Sequence, residues 1–247
     1  MPYAEQIVNL KDQYSTILQN SLETDRELLT LGSIPALAQY NITDILVEFK
    51  KNCSQATINV TQFGTEELKD KLRQRKCELA FVCETDEEDD DIEKYLYMMD
   101  ELVVVLPIWH PLAKEENIPL ATIKNEDFIL MEKQTKPHKL SLIACQQSGF
   151  EPKIAHTDNK LETILDLVEK GLGVALLMKR LAQCIFNEQI CVVDISPKVY
   201  AQINLCYLKN GELSDAAYEF IECVKSQQAK ANLPRIIGVP TQTFYKD

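Results

Sequence analysis

The sequence predicts an α/β protein of two lobes, each a mostly parallel sheet between helices. Two observations carry this. In His156 to Leu177, HTDNKLETILDLVEKGLGVALL, the residues Leu161, Ile164, Leu165 and Val168 fall at i, i+3, i+4 and i+7, one face of a helix. Gly171 and Gly173 stop that helix, and Val174 to Leu177 is an apolar run fit for a strand buried on both faces. The second observation is repetition, because short apolar strands alternate with amphipathic helices along the rest of the chain.

Taken in order, Pro2 to Leu22 carries a heptad-like stripe of Ile7, Leu10, Tyr14 and Ile17, which predicts a helix that packs on another helix. Arg26 to Leu31 reads as a strand, and Gly32-Ser33 as a tight turn. A helix then runs to about Asn52 with Pro35 in its first turn and Ile42, Ile45, Leu46 and Phe49 inward. Thr57 to Phe63 alternates as a strand, Thr65 caps a helix reaching about Arg75, and Leu79 to Val82 is a strand. Glu84 to Asp91, ETDEEDDD, reads as a solvated loop; its spacing does not match a calcium loop.

Leu102 to Leu106 is a buried strand stopped by Pro107, and Lys114 to Glu126 a surface connection with a short helical turn. Phe128 to Met131 is a strand, Glu132 to His138 a polar loop, Lys139 to Ser148 a helix stopped by Gly149, and Lys153 to His156 a strand edge. Asp158 and Asn159 cap the helix described first. Lys179 to Cys184 is a short helix, and Ile190 to Val193 and Ile203 to Leu208 are strands. Asn210-Gly211 turns into a closing helix, Leu213 to Ser226, with Ala217, Phe220, Ile221 and Val224 inward. The expected organisation is residues 1–24 as a linker or dimerisation helix, 25–106 with 208–228 as lobe I, 107–207 as lobe II, and 229–247 as a tail, the chain crossing back near Tyr207-Leu208.

Composition limits the function. With 45% hydrophobic and 26% charged residues in 247, the chain is an ordinary globular one. A net charge of -12 repels nucleic acid and anionic lipid on average, so any DNA contact must come from another domain. The eight cysteines sit mostly inside apolar runs without a CxxC pair, which reads as buried thiols in a reducing compartment rather than disulfides or zinc. Met1 to Asn20 has no continuous apolar core, and no run reaches membrane-spanning length, so a cytoplasmic protein without membrane contact is expected. No metal and no cofactor are expected.

Four segments occur in a telling order: Leu72 to Phe81 as LRQRKCELAF, His110-Pro111-Leu112-Ala113, Gly149 to Pro152 as GFEP, and Val168 to Met178 as VEKGLGVALLM. Together they resemble the effector-binding region of a LysR-type transcriptional regulator, over roughly Glu5 to Gln227. Arg75 stands where that frame has glycine, Glu78 where it has aspartate, and Met178 where it has proline. The resemblance implies two Rossmann-like lobes around a cleft, of the periplasmic-binding-protein type 2-like kind. It also implies that YAEQIVNLKDQY is part of the linker helix that pairs subunits. The family's N-terminal winged helix-turn-helix is expected to be absent from these residues. The implied partners are a small-molecule effector, anionic or amino-acid-like, a second copy in a homodimer (a tetramer when full length), and promoter DNA through that N-terminal domain. A bilobal solute-binding protein or a dehydratase-like enzyme of the same fold is the alternative reading, and no acid–base pair is evident to support an enzyme.

Ligands of open α/β sheets bind outside the carboxyl ends of the strands. Ser33 and Ile34 end the first strand, where a hydroxyl and helix N–H groups together suit an anion. Thr65 and Glu66 follow the second strand, with helix capping as the plain alternative. Gln134, Thr135 and Lys136 supply the second lobe's loop, and Thr157 and Asp158 the fourth, where a carboxylate selects an amine. His110 has no nucleophile or carboxylate partner by spacing and reads as structural, and Cys145 reads as core.

Overall fold

The computed structural model describes residues 28–85 and 88–230. The expected linker helix and nearly all of the tail lie outside them. β1 (Leu28–Ser33) pairs in parallel with β2 (Thr57–Gln62) and β3 (Leu79–Glu84), linked through α1 (Ile42–Asn52) and α2 (Thr65–Arg73). β4 (Ile92–Pro107) follows, then β5 (Asn117–Pro119) and a 3₁₀ turn at Leu120–Ile123. β6 (Asp127–Met131), α3 (Lys136–Gln147), β7 (Lys153–Asp158), α4 (Leu161–Glu169), β8 (Val174–Met178) and α5 (Lys179–Gln183) make the second α/β half. β9 (Ile190–Ser196), β10 (Tyr200–Leu208) and α6 (Asp215–Lys230) complete it. The main strand order is β2-β1-β3-β10-β4-β8-β6-β7, with β9 beside β4 and β5.

The helical stripes read from the sequence face the core. Leu161, Ile164, Leu165 and Val168 of α4 are buried, as are Ala217, Phe220, Ile221 and Val224 of α6, and all of β8. Phe220 meets Phe49 of α1 and Phe81 of β3 edge-on, at 5.5 and 6.2 Å between ring centres. Leu46 of α1 is only partly buried. Gly173 cannot carry a side chain, since a Cβ there would lie 2.2 Å from the carbonyl oxygen of Asp127.

Three helices end in the same way. In α2, α3 and α4 the second residue past the cap donates its N–H five residues back: Lys76 to Lys71, Phe150 to Cys145, Leu172 to Leu167. This closure requires a left-handed residue between, which is Gly149 (φ 84) and Gly171 (φ 77) in two cases and Arg75 (φ 54) in the third. The glycine replaced in LRQRKCELAF thus keeps its backbone role with a side chain that disfavours it.

Several boundaries differ from the sequence reading. Gly32 and Ser33 belong to β1, Pro35 lies in a bend, and the helix begins only at Ile42 behind a left-handed Asn41. Gly64, not Thr65, is the cap of α2, because Thr65 is turned inward toward β3. The α3 helix starts at Lys136, since the Thr135 side chain caps it by accepting the His138 N–H. Lys160 caps α4, and Asp158 Oδ1 accepts the Lys160 N–H at 2.8 Å instead of capping the helix directly.

The largest difference concerns β4. Leu102 to Leu106 is the second half of one 16-residue strand. Its first half, to Glu101, pairs with β10, and from Leu102 it pairs with β8 and β9. All these pairings, and β10 with β3, are antiparallel, so the sheets are parallel on their flanks and antiparallel where the chain crosses. β10 lies wholly in the first sheet, so the chain has returned by Tyr200, ahead of the crossing expected near Tyr207-Leu208. The two crossings touch through Leu102 N–H to Val199 C=O at 2.8 Å.

The acidic run is solvated only in part: Glu88, Asp90 and Asp91 are exposed, whereas Glu84 is buried and Asp89 half-buried. Between β3 and β4, charges fasten the described residues on either side of residues 86–87. Glu84 is fully buried, with Lys69 Nζ at 2.8 Å, Lys94 Nζ at 2.9 Å and the Asn204 amide donating at 2.9 Å. Asp89 meets Lys69, Lys94 and Arg73 at 2.7, 2.8 and 3.0 Å, and Asp91 meets Arg73 at 2.8 Å. Buried charges are tolerated only when paired in this manner.

Candidate functional site

Register fixes where a ligand can sit. In the first sheet β1, β3 and the first half of β4 run the same way, ending at Ser33, Glu84 and Glu101. In the second, β6, β7 and β8 run against the second half of β4, with Met178 opposite Leu102. The carboxyl ends of both sets therefore point at the crossings, and ligand-binding loops of both halves face one another there.

The expected residues gather in two groups. On the first sheet, Ser33 is fully buried and its hydroxyl donates to the Ile34 carbonyl at 2.9 Å. No helix N-terminus follows it directly, which removes the helix N–H groups from the anion site expected there. Ile34 is buried and bonds Phe81 through its N–H. Thr65 Oγ1 donates to the Cys83 carbonyl at 2.8 Å, so it ties α2 to β3, and Glu66 is exposed in the first turn of α2. On the second sheet, Thr135 Oγ1 donates to Glu132 C=O at 2.7 Å, Lys136 is half-buried in the first turn of α3, and Gln134 is exposed. The buried His138 contacts the Met131 carbonyl at 2.8 Å and anchors that turn to β6. Thr157 and Asp158 are half-buried beside Leu130 and Met131. The Lys160 N–H holds the Asp158 carboxyl below the usual carboxylate range.

At the crossings lie residues that the sequence reading did not single out. A cavity of about 420 Å³ is lined by Met99, Asp100, Glu101, Lys179, Arg180, Gln183 and Tyr200. Burial raises the Asp100 carboxyl, which accepts bonds from the Tyr40 hydroxyl at 3.0 Å, the Glu101 N–H at 2.8 Å and the Arg180 N–H at 3.4 Å. Burial, then Asp100, pushes the Tyr40 phenol well above its ordinary value, so it stays a donor. Beside them four charges close a ring. Lys179 reaches Glu101 at 2.6 Å and Asp194 at 2.7 Å, and Lys198 reaches the same two at 2.6 and 2.9 Å. The available signal was position, because Lys179 and Arg180 follow the carboxyl end of the most apolar strand.

His110 is buried, with its Nδ1 accepting the Leu112 N–H at 3.2 Å, a loop-closing role, and its Nε2 lies 3.5 Å from Glu126 Oε1, a carboxylate neighbour that the spacing did not indicate. Cys145 is fully buried in α3, and burial pushes its thiol up to about 12, far from thiolate chemistry. Among the described residues no cluster of three or more His, Cys, Asp or Glu is placed to hold a metal, and no helix is long and apolar enough to cross a membrane.

Two α/β halves joined by paired crossings, with strand ends and a cavity at the junction, define a bilobal ligand-binding domain of the periplasmic-binding-protein type 2-like fold. The chain belongs to the LysR-type transcriptional regulators, and the family's LysR substrate binding domain model matches residues 23–229. It is similar to the transcriptional dual regulator GltC of Bacillus subtilis (strain 168), 24% identical over 204 residues that cover 82% of this chain and 68% of the relative. Among solved structures it is similar to the effector binding domain of QuiR in complex with shikimate, with TM-score 0.71, 26% identity, and 82% of this chain and 97% of that one covered. The Synechocystis PCC6803 CcmR regulatory domain in complex with 2-PG has TM-score 0.75 at 20% identity, covering 84% and 99%.

Proposed function

We propose that this domain senses a small metabolite between its two lobes, an anionic or amino-acid-like one, and converts occupancy into a change of inter-lobe angle. One observation carries the reading: the carboxyl ends of both sets of parallel strands face the same pair of crossings. Thr135 and Lys136, at the positive end of α3, and Asp158, at the end of β7, offer the second lobe's side of the cleft both signs of charge. Ser33, Ile34 and Thr65 shape the opposite wall. The lobes meet at the crossings: the first runs to Glu101 and resumes with β10 and α6, and the second is the stretch between, from Leu102 to Val199.

A ligand changes the angle only by binding one arrangement more tightly than the other. In the regulator the angle sets the spacing of paired subunits, a homodimer assembling to a tetramer with an N-terminal winged helix-turn-helix on promoter DNA. The setting is cytoplasmic, away from membranes, and no reaction is catalysed. The test is a thermal-denaturation screen against metabolites, with hits titrated by calorimetry and their scattering profiles measured free and bound. A saturable, chemically unchanged ligand that raises stability by mass action and shifts the scattering profile is the expected result. Turnover of the hit, or binding without any change of shape, overturns the reading.

A further inference from the structure

We propose that Arg180 is the specificity-determining cation of the sensor, seating the carboxylate of a small monocarboxylic acid in the hinge cavity. The inference rests on the sensor reading and moves the ligand's charged end from the strand-end loops to the crossings themselves.

Four observations support it. The cavity, at about 420 Å³, falls in the size range of small-molecule sites. Of its two cationic lining residues, Lys179 is consumed by Glu101 and Asp194, whereas the Arg180 guanidinium makes no hydrogen bond or ion pair with any described residue. A half-buried guanidinium with its donors open fits a carboxylate in bidentate fashion. Asp100 feels the Arg180 charge but makes no hydrogen bond to its guanidinium; its carboxylate accepts from Tyr40, Glu101 N–H and the backbone N–H of Arg180.

The lining also sets the ligand's charge. Glu101 is already bridged by Lys179 and Lys198 and Asp100 also lines the cavity, so the Arg180 fork can offset one negative charge and a second on the ligand faces uncompensated carboxylate. Gln183 offers an amide to a polar substituent, and Met99 and Tyr200 offer apolar surface to the ligand's body. The location provides the coupling. Asp100 and Tyr200 stand on the two crossings and Arg180 on α5, so an acid held by Arg180 against them stabilises one hinge geometry over another.

The test uses a panel of small monocarboxylic acids, each paired with its uncharged amide, and inorganic phosphate, titrated into the wild type, Arg180→Gln and Arg180→Lys by calorimetry. At least one acid is expected to bind the wild type saturably, with its amide and phosphate weaker by about tenfold or more. Arg180→Gln should erase the difference between acid and amide with unchanged melting temperature, and Arg180→Lys should retain part of it. Equal binding of acid and amide, an acid preference that survives Arg180→Gln, or tighter phosphate overturns the proposal. Binding only of ligands without a carboxylate overturns it and leaves the sensor reading standing. Binding of nothing in a wider metabolite screen overturns both.

Discussion

The crossover beneath α2 and the ring at the hinge are built from the same chemistry, carboxylates bridged by amines, and differ in depth. In the crossover Glu84 and Lys69 are 0% and 4% exposed, whereas at the hinge Lys179 and Lys198 are 29% and 40% exposed. A buried pair loses several kcal/mol when one partner is removed, because the other stays dehydrated, while an exposed pair loses little. The crossover network therefore fixes one geometry. The hinge ring joins the two crossings weakly enough to yield when a ligand favours another hinge geometry.

The sharpest way to break this contrast is Lys69→Met, which leaves Glu84 short of a partner and should cost about 3 kcal/mol in urea unfolding. A loss near that of an exposed pair would erase the distinction. Acid comes next. Burial alone would raise the Asp89 carboxyl, but hydrogen bonds from Lys69 and Lys94 outweigh it and hold it at about 2. A carboxyl depressed below its unfolded value near 4 contributes stability above that value and loses it as pH falls toward the folded one. Wild-type stability should thus fall by about 2 kcal/mol more than that of Asp89→Asn between roughly pH 5 and pH 2.

A smaller effect sits at the end of the same helix. Arg75→Gly relieves a left-handed side chain and should raise stability by about 0.5 kcal/mol, since glycine's freer unfolded chain offsets part of the gain. Smallest is Lys198→Ala, expected to cost about 0.5 kcal/mol at low salt and less at high salt. Comparable losses for Lys198→Ala and Lys69→Met would mean that depth does not separate the two networks.

Much of the fold was legible in the residues. The α4–β8 unit followed from 3.6-residue spacing, a glycine stop and an apolar run, all local signals, and the ordered motifs pointed to the family. The site was legible only in its outline. Thr135 and Asp158 were singled out because strand ends attract ligands, and Thr65 was assigned a cap that Gly64 provides. Arg180 was passed over because its neighbours read simply as a short helix.

By itself the sequence determined where helices and strands form, which faces are apolar and which family the chain resembles, because these depend on residues close together along the chain. Tertiary structure decided that β4 serves both sheets, that Glu84, Asp89 and Asp91 of ETDEEDDD pair with Lys69, Arg73 and Lys94, and that Asp100, Arg180 and Tyr200 share one cavity. Those depend on pairings between distant segments. A run of carboxylates reads as solvated until the cations that neutralise it are brought alongside, and only the closed fold brings them there.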